Sequence, residues 1–74
     1  MPYKTISDLP DSVRHVLPIH AQEIYAAAFN HAWEEYKNPQ ERKGQESREE
    51  VAHKVAWTAV EKKYTKSNGF WVER

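Results

Sequence analysis

PIHAQEIYAAAFNHAWEEYK, residues 18–37, is the stretch that decides the fold. On a helix turning about 100° per residue, Ala21, Ile24, Tyr25, Ala28, Phe29, Ala32 and Tyr36 fall on one arc, with Trp33 at its margin. Glu23, Asn30, Glu34 and Lys37 take the opposite face. The helix begins near Pro18 to His20, because proline suits a first turn. Asn38-Pro39 stops it near Lys37, since a proline disfavours helical geometry in the residue before it. An apolar stripe of this width is stable only when covered by another element.

The cover lies downstream. Ser47-Arg48-Glu49-Glu50 fits a capping box, Ser47 accepting from the Glu50 amide and Glu50 reaching back. Two adjacent apolar stripes follow, Ala52, Val55, Ala56 and Ala59, then His53, Trp57, Val60 and Tyr64. So broad an arc implies burial on two sides. Glu49 and Glu50 at the start, with Lys62, Lys63 and Lys66 at the end, suit the helix dipole. Between the two helices, Asn38 to Glu46 holds no apolar side chain and reads as a solvated connection. Asn38-Pro39-Gln40-Glu41 can cap one further turn there, which Gly44 would close.

The flanks are shorter. Residues 2–6 read as an extended piece, with Tyr3-Lys4-Thr5-Ile6 alternating apolar and polar. Asp8 then caps a short helix over 9–16, which ends near Leu17 ahead of Pro18. At the other end Asn68-Gly69 marks a turn and Phe70-Trp71-Val72 a short β-favouring piece. A lone strand has no hydrogen-bond partner, so Tyr3-Lys4-Thr5 is expected to pair antiparallel with Phe70-Trp71-Val72. The expected fold is mainly α: one domain over residues 1–74, a small orthogonal three-helix domain. A short two-stranded antiparallel ribbon would join its N- and C-terminal ends.

Composition narrows the function. The 74 residues contain 11 Lys+Arg and 11 Asp+Glu, so the formal net charge is zero and no overall field recruits nucleic acid or anionic lipid. There is no cysteine, which excludes thiol nucleophiles, redox dithiols and thiolate zinc sites. The longest apolar run, Ile24 to Phe29, is far short of the ~20 residues of a membrane span. His15, His20, His31 and His53 do not form a ligand set; His31 and Glu35 read as a surface ion pair, and His53 as a partly buried ring beside Trp57. Glu34-Glu35 and Glu49-Glu50 are adjacent, hence about 100° apart on a helix, and make no acid/base dyad. Gly44 and Gly69 lie in no phosphate loop, and no serine has a nucleophile-elbow context. The expectation is a non-enzymatic protein without metal or cofactor. Candidate contact residues for a partner are Trp33 at a helix margin, Trp71 near the C-terminus, and the basic cluster Arg42, Lys43 and Arg48. The cluster is interleaved with Glu41, Glu46, Glu49 and Glu50, which cancels most of its field.

A family resemblance runs through these residues. Pro2-Tyr3-Lys4, Asp8-Leu9-Pro10 with Val13, Val16-Leu17-Pro18, His20-Ala21-Gln22 and Ile24-Tyr25 resemble the ChaB family. So do Ala28-Phe29-Asn30 with Ala32-Trp33, and Ser47-Arg48-Glu49-Glu50 with Ala52-His53-Lys54-Val55-Ala56-Trp57. The resemblance implies a compact, mainly helical bacterial protein of the cytoplasm that regulates cation transport by protein contact. The partner it implies is a cation/proton antiporter, contacted by a monomer without membrane insertion. It supplies no catalytic or ligand residue. It also leaves a small nucleic-acid-binding module as the alternative, against which the neutral charge argues.

Overall fold

The computed structural model describes residues 3–38 and 47–74. A 3-10 turn at Ile6–Asp8 leads into the short helix α1, Asp11–Arg14. Two long helices follow, α2, Ile19–Glu35, and α3, Arg48–Lys63, and then strands β1, Tyr64–Ser67, and β2, Phe70–Glu73.

The first helix is shorter than the sequence suggests, and the reason is Pro10. Leu9 before it is held extended, with ψ 151°. The expected helix over 9–16 is therefore shortened to the single turn Asp11–Arg14, and a separate 3-10 turn precedes it at Ile6–Asp8. Asp8 is not the N-cap of α1 as anticipated; it closes the capping box of the 3-10 turn, its Oδ2 accepting from the amide of the N-cap Thr5 at 3.2 Å. Leu9, Val13 and Leu17 still reach the core.

The α2–α3 pair is the body of the molecule. The helices run antiparallel, as two contacts at opposite ends show. His20 Nδ1 lies 3.0 Å from the Tyr64 hydroxyl, and Arg48 Nε donates to the Trp33 carbonyl at 2.7 Å. Ala21, Ala32, Ala52 and Ala56 are buried, and these small side chains let the backbones approach. Tyr25, Phe29 and Val60 fill the space between and are fully buried. Each contributes ~1.5–3 kcal/mol from the area removed from water.

The buried side of α2 is rotated from the expected arc. Gln22 and Ala26 are inside, while Ile24, Ala28 and Tyr36 are only partly covered. Gln22 is admitted because its amide is paired, Nε2 donating to the Arg14 carbonyl at 3.2 Å and the Leu17 carbonyl at 2.8 Å. Those bonds fasten the end of α1 to α2. On α3, Val51, Ala52, Ala56 and Val60 are buried, and the half-buried His53 and Trp57 take a second contact side. The capping box at Ser47 forms as read: Glu50 N–H donates to Ser47 Oγ at 3.1 Å, and Ser47 N–H to Glu50 Oε1 at 3.3 Å. The helix ends at Lys63, so Lys66 belongs to β1 rather than to the last helical turn.

A two-stranded antiparallel ribbon is present, but it does not join the chain ends. β2 pairs with β1, in the register Tyr64↔Glu73, Thr65↔Val72, Lys66↔Trp71 and Ser67↔Phe70. The linking Asn68 and Gly69 have φ 52° and 85°, the two positive values of the tight turn that matches strand twist. A two-residue connection costs far less closure entropy than bridging the whole chain, so the local strand wins. The expected N-terminal strand meets a side chain instead. Tyr3 N–H donates to Asn30 Oδ1 at 2.7 Å, and Asn30 Nδ2 donates to the Tyr3 carbonyl at 2.8 Å. Asn30 thus supplies both bonds that a neighbouring strand would give. The Tyr3 ring packs on Phe29, with centroids 4.6 Å apart.

Candidate functional site

Two of the five candidate contact residues come together. Trp33 near the end of α2 lies beneath the Arg48 guanidinium, whose central carbon sits 4.1 Å from the ring centroid. The Nε bond to the Trp33 carbonyl fixes the guanidinium there. The Trp33 ring also stacks with Phe29, centroids 5.9 Å apart. Both residues are half-buried, so the pair is an ordered cation–π element at the surface. Trp71 lies elsewhere: it is half-buried and packs on Trp57 at 5.7 Å, not on Tyr3. Arg42 and Lys43, with the rest of the connection from 39 to 46, lie outside the described residues.

The histidines divide into surface and core. His31 faces Glu35 at 3.5 Å on the exposed side of α2, as the spacing suggests. His53 holds a second i,i+4 relation that sequence reading passed over: its Nε2 is 3.7 Å from Glu49 Oε1. Its Nδ1 bonds the Tyr25 hydroxyl. In the neutral imidazole, the phenol can donate to a bare Nδ1 while Nε2–H faces the carboxylate. The ring is boxed by Tyr25 and by Phe29, the latter edge-on at 4.9 Å. Burial, and secondarily the neighbouring Tyr3, pushes the Tyr25 pKa up to about 12. Burial, and then Glu49, also raises Tyr3. The signal for this Glu49–His53–Tyr25 array was present in the sequence as the i,i+4 spacing on one helix; its third member required the helix pairing.

Tyr25 remains a phenol at neutral pH and is fully buried. A surface hollow of about 220 Å³ is lined by Ile6, Ser7, Arg14, His15, Ile19 and Gln22. Another of about 430 Å³ runs beside Tyr3–Ile6 and the Glu23, Ala26, Ala27 and Asn30 side of α2. Neither is lined by His53 or Glu49. The evident work of these two side chains is to tie α3 to α2. Among the described residues no three His, Asp or Glu side chains gather as a metal site, and no helix is long and apolar enough to cross a membrane.

An antiparallel helix pair braced by a C-terminal hairpin, with an ordered Arg–Trp pair at the surface, defines a small, predominantly helical domain. The chain belongs to the ChaB family: that family's profile matches residues 9–74. It is 62% identical over 68 residues to the "Putative cation transport regulator ChaB" of Escherichia coli K12, covering 92% of this chain and 90% of that protein. The same figures hold for the Shigella flexneri protein of that name. A solution NMR structure of the "putative cation transport regulator ChaB" superposes with a TM-score of 0.82 at 57% identity, covering 99% of each chain.

Proposed function

We propose that this chain is a non-catalytic regulator of cation transport that works by contacting another protein, a cation/proton antiporter, from the cytoplasm. The names of its relatives give the direction of this reading. The observation that carries the contact is the Trp33–Arg48 pair. Tryptophan and arginine are the residue types that concentrate binding energy at interfaces. Here the Arg side chain is already ordered by its stack and its Nε bond, so little rotamer entropy remains to be lost on binding. One donor of the guanidinium is used on the Trp33 carbonyl, which leaves its terminal nitrogens to face a partner carboxylate or carbonyl.

The test titrates the full chain with the antiporter's cytosolic segments, beside fluorescein-labelled duplex DNA at two salt concentrations. Binding to the segments is expected, weakened roughly thirtyfold in Arg48→Gln, as for an interface hot spot of ~2 kcal/mol. An unchanged melting temperature in that variant separates lost contact from lost fold. Tight DNA binding at physiological salt, with a steep salt slope, overturns the reading in favour of a nucleic-acid module.

A further inference from the structure

Charge in this neutral chain is unevenly placed. Residues 61–74 carry Lys62, Lys63, Lys66 and Arg74 against Glu61 and Glu73, so the remainder carries the balancing negative charge. α3 repeats the polarity, with Glu49 and Glu50 in its first turn and Lys62 and Lys63 in its last. The hairpin grows from the basic end.

Strand alternation sorts the hairpin's side chains. Tyr64, Lys66, Trp71 and Glu73 share one face, and Thr65, Ser67, Phe70 and Val72 the other. Trp71 on Trp57 and Tyr64 on His20 mark the first face as the inward one. The outward face therefore has no charged residue, and Phe70 on it is 72% exposed, beside the Asn68-Gly69 turn. Val72 on the same face is 43% exposed. The His20–Tyr64 contact brings the first turn of α2 to the hairpin base, adding Ile19, 62% exposed, with Val16 at 48% just before it. The large apolar side chains left in water, among the described residues, thus belong to the segments that converge on the basic end.

We infer that this end docks on an anionic lipid surface, with the Phe70 tip entering the headgroup region and Lys62 and Lys63 at the end of α3 over acidic headgroups. An uncharged aromatic tip with flanking lysines has the two signals that peripheral attachment needs, apolar partition and attraction to negative lipid. An acidic protein surface would account for the lysines but not for an outward face bare of charge around an exposed Phe. The area is small, so attachment is weak and reversible. It is independent of the contact proposed at Trp33 and Arg48, and its test contains no other protein.

The test is co-sedimentation of the full chain with phosphatidylglycerol-containing vesicles and with pure phosphatidylcholine vesicles, at two salt concentrations. Binding to the anionic vesicles alone is expected, falling with salt. Lysine near a negative membrane is worth about fivefold in affinity, so K62Q/K63Q should lose roughly twenty-fivefold. Phe70→Ser should also weaken binding, and Phe70→Leu should restore it; these side chains are exposed, so circular dichroism and melting should not change. No binding to anionic vesicles at low salt overturns the inference. So does binding that ignores Phe70→Ser, or equal binding to polyglutamate beads without dependence on Phe70, which would mark a general anion patch.

Discussion

Asn30→Ala is the substitution on which the sequence and the structure differ most. By helical phase Asn30 sits on the solvent face of α2, where a change to Ala should alter stability by no more than ~0.5 kcal/mol and would slightly favour the helix. In the folded chain its amide makes both bonds to the Tyr3 backbone, at 2.7 and 2.8 Å, and is partly buried. Two such bonds are worth ~1–3 kcal/mol together, at ~0.5–1.5 each. Losing them also frees the segment that lays the Tyr3 ring on Phe29, so the upper half of that range is expected. For a domain of this size that corresponds to a fall in Tm of roughly 8–24 °C. Urea denaturation followed by tryptophan fluorescence gives the free energy, and amide hydrogen exchange at Tyr3 gives the local effect. A variant within ~0.5 kcal/mol of the parent, with Tyr3 exchange unchanged, would refute the clamp.

Other perturbations test other parts of the frame. Ser47→Ala should cost ~0.5–2 kcal/mol by removing the cap on Glu50 N–H; an unchanged denaturation midpoint would take away the start of α3. Removing residues 70–74 strips Trp71 from Trp57 and should cost a few kcal/mol (~3–5 for a large buried aromatic, less here because Trp71 is half-exposed); an equal melting temperature would show the hairpin to be ornamental. Tyr25 provides a pH signature. Its folded pKa of about 12 lies above the usual phenol value near 10. The unfolded chain therefore loses this proton first. Stability is held below about pH 10 and declines toward pH 12, and Tyr25→Phe should flatten that decline in alkaline melts.

What the sequence disclosed, and what it withheld, follows from the range of the interactions. The α2 and α3 helices, the Ser47 box and the Asn68-Gly69 turn are all local, written within a few residues, and the structure has them in place, with the buried arc of α2 rotated to take in Gln22 and Ala26. The misplaced ribbon shows the limit. Two β-favouring ends suggested a pairing, yet the residues that became β1 had been assigned to the end of a helix. Tyr64 carries an apolar stripe position and a strand start at once, so periodicity alone could not separate them. Asn30 was hidden for a different reason. A polar residue on the outer face of a helix reads as solvated unless a distant chain segment is known to arrive there, and Tyr3 lies 27 residues away. The same holds for Tyr25 and His53, 28 apart.

At the candidate contact, the sequence supplied residue types and the fold supplied their meeting. Trp33 was marked as lying at the margin of an apolar stripe, and Arg48 as part of a basic cluster; nothing local linked them. The antiparallel course of α2 and α3 brings the end of one helix to the start of the other, and this alone stacks the guanidinium on the indole. Together the two proposals divide the labour along the helix pair. The end that holds Trp33 and Arg48 also holds Glu49 and Glu50 and is suited to a polar, directional contact. The opposite end holds the lysines and the Phe70 tip and is suited to a diffuse one. A regulator of a membrane transporter that used both would meet its target from a lipid-held position. The Arg48→Gln and Phe70→Ser variants should then fail in separate assays, the first with the antiporter segments and the second with vesicles.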